Sequence, residues 1–432
     1  MQVSVEKTSE LSRKMTVSVP ETVVQEKIAA RLKSLAREVK VDGFRPGKVP
    51  QQVVKKLYGD RVRGEVFNDL IQSTYYEALQ NQSLTPAGSP YIDSLDETEG
   101  FTYKAIFEVY PEIPLDALNQ LAITRPVATV EESDIDNMIE KLRNQQKTWN
   151  SVDREAQQGD KVTINFSGIS ENENFTDGTV EKYPVEIGAK QMIEGFETNL
   201  IGLQKGGQKT FEVTFPEDYG NTKLAGKLAE ISVDVVDIEE SSLPEINAEF
   251  IAQYGIEDGN PESFRNDVKA NMERELAQAL QNRLKNSVMD ALYEKIQFTV
   301  PNVLVDQETE KLMQPYIETA KRRNIKLEEM PIERELLAEQ AKRRVALGLI
   351  LGEIIHKNNI TLDSNKVRST IEDMSKSYEH PEQVVNWYYA DQSRLNDVQQ
   401  MVLENQTIDW LVAQANVTEQ TMMFSDAMDK QQ

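Results

Sequence analysis

Three groups of residues in the 432-residue sequence have the types and spacing to bind or to do chemistry. The first is Gly43-Phe44-Arg45-Pro46-Gly47-Lys48-Val49-Pro50, whose Pro-Gly pair suits the centre of a type II turn and would push Phe44, Arg45 and Lys48 outward. An aromatic ring and two cations on an exposed tip can stack and can pair with phosphates; the same composition also serves an ordinary helix-to-helix connection. Local charge favours the first reading. From Glu21 to Glu65 there are 11 Lys and Arg against 6 Asp and Glu, in a chain of formal net charge -24. An acidic protein that must meet nucleic acid needs such a patch.

The second group is Phe166, Phe175, Tyr183, Met192, Ile193, Phe196 and Tyr219, whose spacing by itself describes the core of a small β domain. The third is methionine: nine of 13 lie from Met272 onward, where flexible thioethers suit either helix cores or a surface that accepts varied apolar partners. Trp387-Tyr388-Tyr389 carries the same two readings, a packed helix or an exposed contact.

Other chemistry is argued against by what is absent. The sequence has no cysteine, hence no thiol nucleophile, thiolate metal site or disulfide, which fits a reducing cytoplasm. His356 and His380 stand without adjacent ligand spacing, so neither a metal site nor a catalytic triad is expected, and no cofactor. No Gly-x-x-x-x-Gly-Lys-Ser/Thr loop is present to couple ATP. Met1 to Lys7 lacks the pattern of a secretory signal, and the longest apolar stretch, Val345 to Ile355, is broken by Gly348, Gly352 and Glu353 and reads as a buried helix rather than a membrane span. A cytoplasmic protein with no membrane partner is expected.

The elements that must position these groups follow from periodicity. Val3, Val5 and then Met15, Val17, Val19 alternate as strands; Val24, Ile28, Leu32 and Leu35 mark a helix over 21–40, a second helix covers 51–80, and Phe101 to Val109 alternate again. These make an α+β domain over 1–112. Residues 113–150 read as a linker, with a short strand near Leu121 and an amphipathic helix facing inward through Ile135, Met138, Ile139 and Leu142. Over 151–243 three strands, centred on Ile164, Val213 and Val233 and joined by glycine-rich connections, predict a small, mostly antiparallel β domain. Over 244–432 helices dominate. Asn260-Pro261 should start one whose apolar stripe runs through Val268, Met272, Leu276, Leu280, Leu284, Val288 and Leu292, and others follow Pro301, Pro331, Asp363 and Pro381. The stripe is too irregular for a sustained heptad, so an all-α domain with helical arms or hairpins is expected.

Gly-Phe-Arg-x-Gly-x-x-Pro at 43–50 resembles the ribosome-docking signature of the trigger-factor family of bacterial ribosome-associated chaperones, and the whole chain is similar to that family in length and domain order. The resemblance implies that Gly43, Phe44, Arg45, Gly47, Lys48 and Pro50 form the docking loop, meeting protein and rRNA of the large ribosomal subunit beside the peptide exit. Pro46 stands where some relatives carry a further cation. The run from Tyr183 to Phe196 is similar, without gaps, to the segment of FKBP-type prolyl isomerases that floors the proline pocket. That likeness implies a site made of Phe166, Phe175, Tyr183, Met192, Ile193, Phe196, Tyr219 and Ile231. Phe196 replaces a frequent tryptophan, Thr176 a usual acidic residue, and Ile231 a frequent aromatic.

The fold class is thus multidomain α+β: an N-terminal docking domain, an FKBP-like antiparallel β domain with a short helix, and a helical C-terminal domain. The expected function is a nucleotide-independent chaperone that docks at the ribosomal exit, holds nascent or unfolded chains and isomerises X-Pro bonds, with a homodimer when free. Prolyl isomerisation suits the composition, since rotating an amide needs no nucleophile or metal. The alternatives are a free-standing isomerase, or a scaffold with dimerising flanks, neither binding ribosomes; co-sedimentation with ribosomes separates them.

Overall fold

The computed structural model describes residues 1–42, 44, 49–96, 100–171, 173–176, 178–221, 224–326, 333–376, 378 and 380–429. They fall into two compact units, Met1–Pro126 with Gln281–Gln420, and Val127–Leu280 with Thr421–Gln432.

The first unit opens with the hairpin β1 (Gln2–Lys7) and β2 (Ser12–Val19), then α1 (Glu21–Glu38), α2 (Gln51–Asn81), β3 (Tyr91–Asp96) and β4 (Phe101–Glu108). The strands form an antiparallel sheet in the order β1-β2-β4-β3. Alternation builds it as expected: Met15, Val17 and Val19 pair with Ala105, Tyr103 and Phe101, and all are buried on one face. Helices α1 and α2 cover that face through Val24, Leu32, Val62, Val66 and Leu70, with Phe67 stacked on Phe101 at 4.3 Å. Pro20 and Pro50 occupy the N-caps, where their fixed φ starts a helix and no intrahelical N–H is lost.

The stretch expected to be a linker is partly core. Leu118 and Leu121, just before β5 (Ala122–Val127), and Ile123 within it are buried with Val288, Leu292, Ile350, Ile354, Ile408 and Leu411. The second unit then holds α3 (Glu132–Gln145), whose predicted face meets Phe250, Phe264, Val268 and Met272. Six strands follow: β6 (Thr148–Ser151), β7 (Lys161–Ser170), β8 (Glu173–Asn174), β9 (Val180–Glu186), β10 (Gln208–Thr214) and β11 (Leu228–Ser242). Their order is β10-β11-β7-β8, with β6 on β11 and β9 on β7, all antiparallel. Only β7, β10 and β11 were expected. The other three give no alternation: β8 has two residues, β6 is mostly exposed, and β9 contains Pro184 and exposes Glu181 to Pro184 in succession.

Helix α4 (Ala248–Ala252) precedes α5 (Pro261–Lys295), at whose start Asn260 Oδ1 accepts the Glu262 N–H at 2.9 Å. Along the predicted stripe of α5, Val268, Met272, Leu276, Val288 and Leu292 are buried, while Leu280 and Leu284 are half-buried. The first unit resumes within α5 at Gln281 and continues with α6 (Asn302–Arg323), α7 (Arg334–Lys357), α8 (Ser364–Ser375), α9 (Pro381–Tyr389) and α10 (Gln392–Gln414). Ala346, Ile350 and Ile354 make α7 the buried helix anticipated, and Asp363 caps α8 by accepting the N–H groups of Asn365 and Lys366. A strand, β12 (Asn416–Thr421), pairs with β5 where none was expected; only Val417 of its residues is shielded, so its sequence lacks the signal. The short α11 (Phe424–Met428) ends the described chain. No helix among the described residues is long and apolar enough to cross a membrane.

Candidate functional site

The aromatic group assembles on the central strand of the second unit. On β7, Val162 and Ile164 point into the core, and the same parity turns Phe166 and Gly168 to that face. Between Ile164 and Phe166 the pairing with β9 slips, so that Ile164 faces Tyr183 while Phe166 faces Val180. Asn165 holds this irregularity: its Oδ1 accepts the N–H of Lys182, a residue with φ of 53°. The slip sets the Phe166 ring edge-on to Tyr183 at 5.7 Å, and Phe166 in turn meets Phe196 edge-on at 5.9 Å.

Gly168 makes room for the second aromatic string. A side chain there would begin 2.2 Å from the Phe175 ring and 3.0 Å from Ile231, so these two residues close over a bare backbone. Phe175 meets Phe215 edge-on at 5.5 Å, and Phe215 lies 4.7 Å from Tyr219. Each string thus has a buried ring, Phe196 in the first and Phe215 in the second, and ends in a tyrosine that is about two-fifths exposed, Tyr183 at 42% and Tyr219 at 38%. Phe196 and Ile231 are buried; Phe166, Phe175, Met192 and Ile193 are partly buried against the same core. Edge-to-face contacts of this kind each contribute about 0.5–1.5 kcal/mol beyond area burial.

Met192 and Ile193 arrive on the loop between β9 and Phe196. A cavity of about 450 Å³ lies against this loop, lined by Gln158, Gly188, Lys190, Met192, Ile193 and Glu197 among others. Of the eight expected site residues, only Met192 and Ile193 reach its wall. Five of the others belong to the two aromatic strings, and Ile231 is buried beside Gly168.

Two residues that sequence reasoning passed over matter here. Phe215 bridges Phe175 and Tyr219, and the alternation Phe211, Val213, Phe215 already turned it inward. Glu197 follows Phe196, is buried, and accepts four backbone N–H bonds, from Gly188 and Lys190 on one oxygen and from Gln191 and Met192 on the other, at 2.8–3.1 Å. Burial pushes its pKa up and the four amides more than offset this, holding the carboxyl below the ordinary glutamate value. No sequence pattern separates such a carboxylate from a solvated one. Nearby, the buried Asp160 accepts hydrogen bonds from Nη1 and Nη2 of Arg154, at 2.6 and 3.0 Å, and from the Gln157 N–H. Burial opposes its ionisation, and these partners still lower its pKa.

Of the loop residues, Gly43, Arg45, Gly47 and Lys48, and with them the expected turn at Pro46, lie outside the described residues. Phe44 is exposed, its N–H bonded to Val41 C=O at 3.0 Å, and Pro50 caps α2. Around them Lys33, Arg37, Lys40, Lys55 and Lys56 are exposed, whereas Arg31 is ion-paired to Glu65 at 2.9 Å. Methionine divides between both readings: Met272 and Met289 are buried, Met374 and Met423 exposed. Trp387 and Tyr389 are exposed by about half, with the Arg394 guanidinium 3.8 Å from the Trp387 ring centroid.

Three family models match the chain. Residues 1–142 match "Bacterial trigger factor protein (TF)", 152–239 match "FKBP-type peptidyl-prolyl cis-trans isomerase", and 262–413 match "Bacterial trigger factor protein (TF) C-terminus". Over 430 residues, covering 99% of this chain and 98% of each relative, the sequence is 43% identical to the trigger factor of Ectopseudomonas mendocina (strain ymp) and 42% identical to that of Pseudomonas putida (strain GB-1). A solved structure, "Promiscuous Substrate Recognition in Folding and Assembly Activities of the Trigger Factor Chaperone", aligns with a TM-score of 0.50 at 16% identity, over 96% of this chain and 99% of that one, a likeness of fold.

Proposed function

From its membership of the bacterial trigger factor family, to which this chain belongs as a chaperone carrying an FKBP-type peptidyl-prolyl cis-trans isomerase, we propose where each activity resides. The isomerase site is the apolar wall of Phe166, Phe175, Tyr183, Met192, Ile193 and Tyr219, backed by the buried Phe196 and Ile231 and by Phe215. The observation that carries this reading is the pair of aromatic strings, each ending in a part-exposed tyrosine.

Rotation about an X-Pro bond requires only that amide resonance be lost, against a barrier of roughly 18–20 kcal/mol. The twisted amide separates less charge than the planar one, so an apolar wall that excludes water favours it. None of the nine residues carries a charge, in keeping with that demand. The flanking residue best accepted before proline is apolar or aromatic, because Met192, Ile193 and the tyrosine rings supply apolar neighbours. Phe166→Ala in the full-length protein should lower the isomerisation rate of an X-Pro peptide at least tenfold, compared at equal folded fraction. An unchanged rate would remove the assignment.

The loop 43–50 docks on the large ribosomal subunit beside the peptide exit, with Phe44, Arg45 and Lys48 as contacts. An exposed Phe44 and the surrounding exposed cations support this. Phosphate contacts release counterions, so binding weakens with salt. Co-sedimentation with ribosomes should fall on raising salt and on Phe44→Ala/Arg45→Ala, with circular dichroism unchanged; insensitivity to both would sink the docking role. Nascent and unfolded chains are held without nucleotide, in the cytoplasm, and the free protein forms a homodimer; the absence of a P-loop supports the first point.

A further inference from the structure

We propose that Glu197 is a positioning residue of the isomerase site, its carboxylate fixing the loop that presents Met192 and Ile193 to substrate. The proposal rests on the reading that those two side chains belong to the site. Four consecutive features carry it. The carboxylate is buried and takes four N–H donors, all from one stretch of five residues, Gly188 to Met192. To turn the amides inward the chain adopts left-handed backbone at Gly188, φ 99°, and at Lys190, φ 55°, a conformation that a lysine takes only at a cost. A cavity of about 450 Å³ adjoins the same loop, so packed side chains do not back it along that side. The residue before Glu197 is Phe196, whose ring is locked edge-on between Phe166 and Phe211, which anchors the carboxylate to the rigid part of the sheet.

On the cavity side, hydrogen bonds therefore hold this loop in shape, in addition to the packing of Met192 and Ile193 against the core, and they converge on one side chain. Charged acceptors bind N–H groups more strongly than neutral ones, and two oxygens each serving two donors leave no room for an amide. In Glu197→Gln the amide nitrogen would face two N–H donors, and that half of the cradle would be lost. Released in part, the loop would spend only a fraction of its time in the arrangement that binds substrate. Apparent affinity drops by that fraction, while saturating substrate selects the competent arrangement and restores the rate.

The test is full-length Glu197→Gln against wild type, with kcat and KM for a proline-containing peptide obtained separately from exchange line-broadening in NMR spectra. A rise in KM of about tenfold, with kcat within about twofold, supports the role. A fall in kcat at unchanged KM, the signature of a smaller folded fraction, overturns it, as does no change in either. Ile193→Ala, measured alongside, separates this from the site reading. If it raises KM while Glu197→Gln is silent, the site stands and the positioning role falls; if it is silent while Glu197→Gln raises KM, Ile193 leaves the site and Glu197 keeps its role through Met192 alone. Should Glu197→Gln not fold, hydrogen exchange in the wild type decides. Amides of Gly188, Lys190, Gln191 and Met192 protected as well as those of β7 support the cradle, and exchange at open-loop rates overturns it.

Discussion

Gly168 lies where two rings and an isoleucine need the volume a side chain would take. In Gly168→Ala the new methyl would stand 2.2 Å from Phe175, and the ring must move because the backbone beneath it is paired on both sides, to Ile231 and toward Phe175. Overpacking of this kind costs about 1–3 kcal/mol, and the displaced Phe175 should lower isomerisation by more than the loss of folded protein explains. Urea unfolding and the peptide assay measure the two effects. Phe196→Ala removes a fully buried ring and should cost about 3–5 kcal/mol, so its activity must be compared at equal folded fraction. At this scale the sequence was readable where alternation or the gap-free run to Phe196 named a residue. Phe215 was half-readable, placed inward by its strand but not tied to Tyr219 until the fold brought them to 4.7 Å. Glu197 was not readable, because what makes it unusual is the convergence of four amides, and amides carry no sequence signature.

The elements differ in how much of their stabilisation is written locally. β2, β4, β7 and α3 bury one face in strict register, and their periods gave them away. β9 is held by backbone pairing to the nearby β7 and β12 by pairing to β5, far off in sequence, both with few buried side chains, and no alternation announces either. Within the second unit, pH reports on the elements held by charge. Asp160 fastens the start of β7 to the preceding turn, and Glu197 fastens the loop after β9; both carboxyls titrate below their ordinary values. A carboxyl that holds its proton more weakly when folded contributes stability above its unfolded pKa, near 4, and that contribution disappears as pH falls through the lower folded pKa. The β domain should therefore lose stability on acidification below about pH 4, and Asp160→Asn should be less stable at neutral pH but lose less of what remains in acid. Thermal unfolding by calorimetry from pH 7 downward checks this; parallel curves for the two proteins would contradict it.

For the molecule as a whole, chain order and spatial grouping part company. The first unit joins the N-terminal sheet to the helices that follow Leu280, and the intervening chain forms the second unit with the final residues. Composition had separated the textures along the sequence, but grouping depends on which apolar faces meet, and Leu121 and Ile123 meet helix residues as far along the chain as Val288, Ile350 and Leu411. The β domain leaves the chain and returns at neighbouring points: α3 ends at Gln145, and Arg143 donates from Nε to the carbonyl of Pro244 at 3.0 Å. An excision from Lys147 to Leu243 removes β6 with its partner β11, and so leaves no strand unpaired. The central claim is that isomerisation resides in this excised segment and holding of unfolded chains in the remainder. The most direct measurement compares full-length protein with the excised, rejoined chain in two assays, X-Pro peptide isomerisation and suppression of aggregation of a denatured client without ATP. The excised chain should lose isomerisation entirely and keep most of the protection; a folded excised chain that protects nothing, or that still isomerises, would contradict the account.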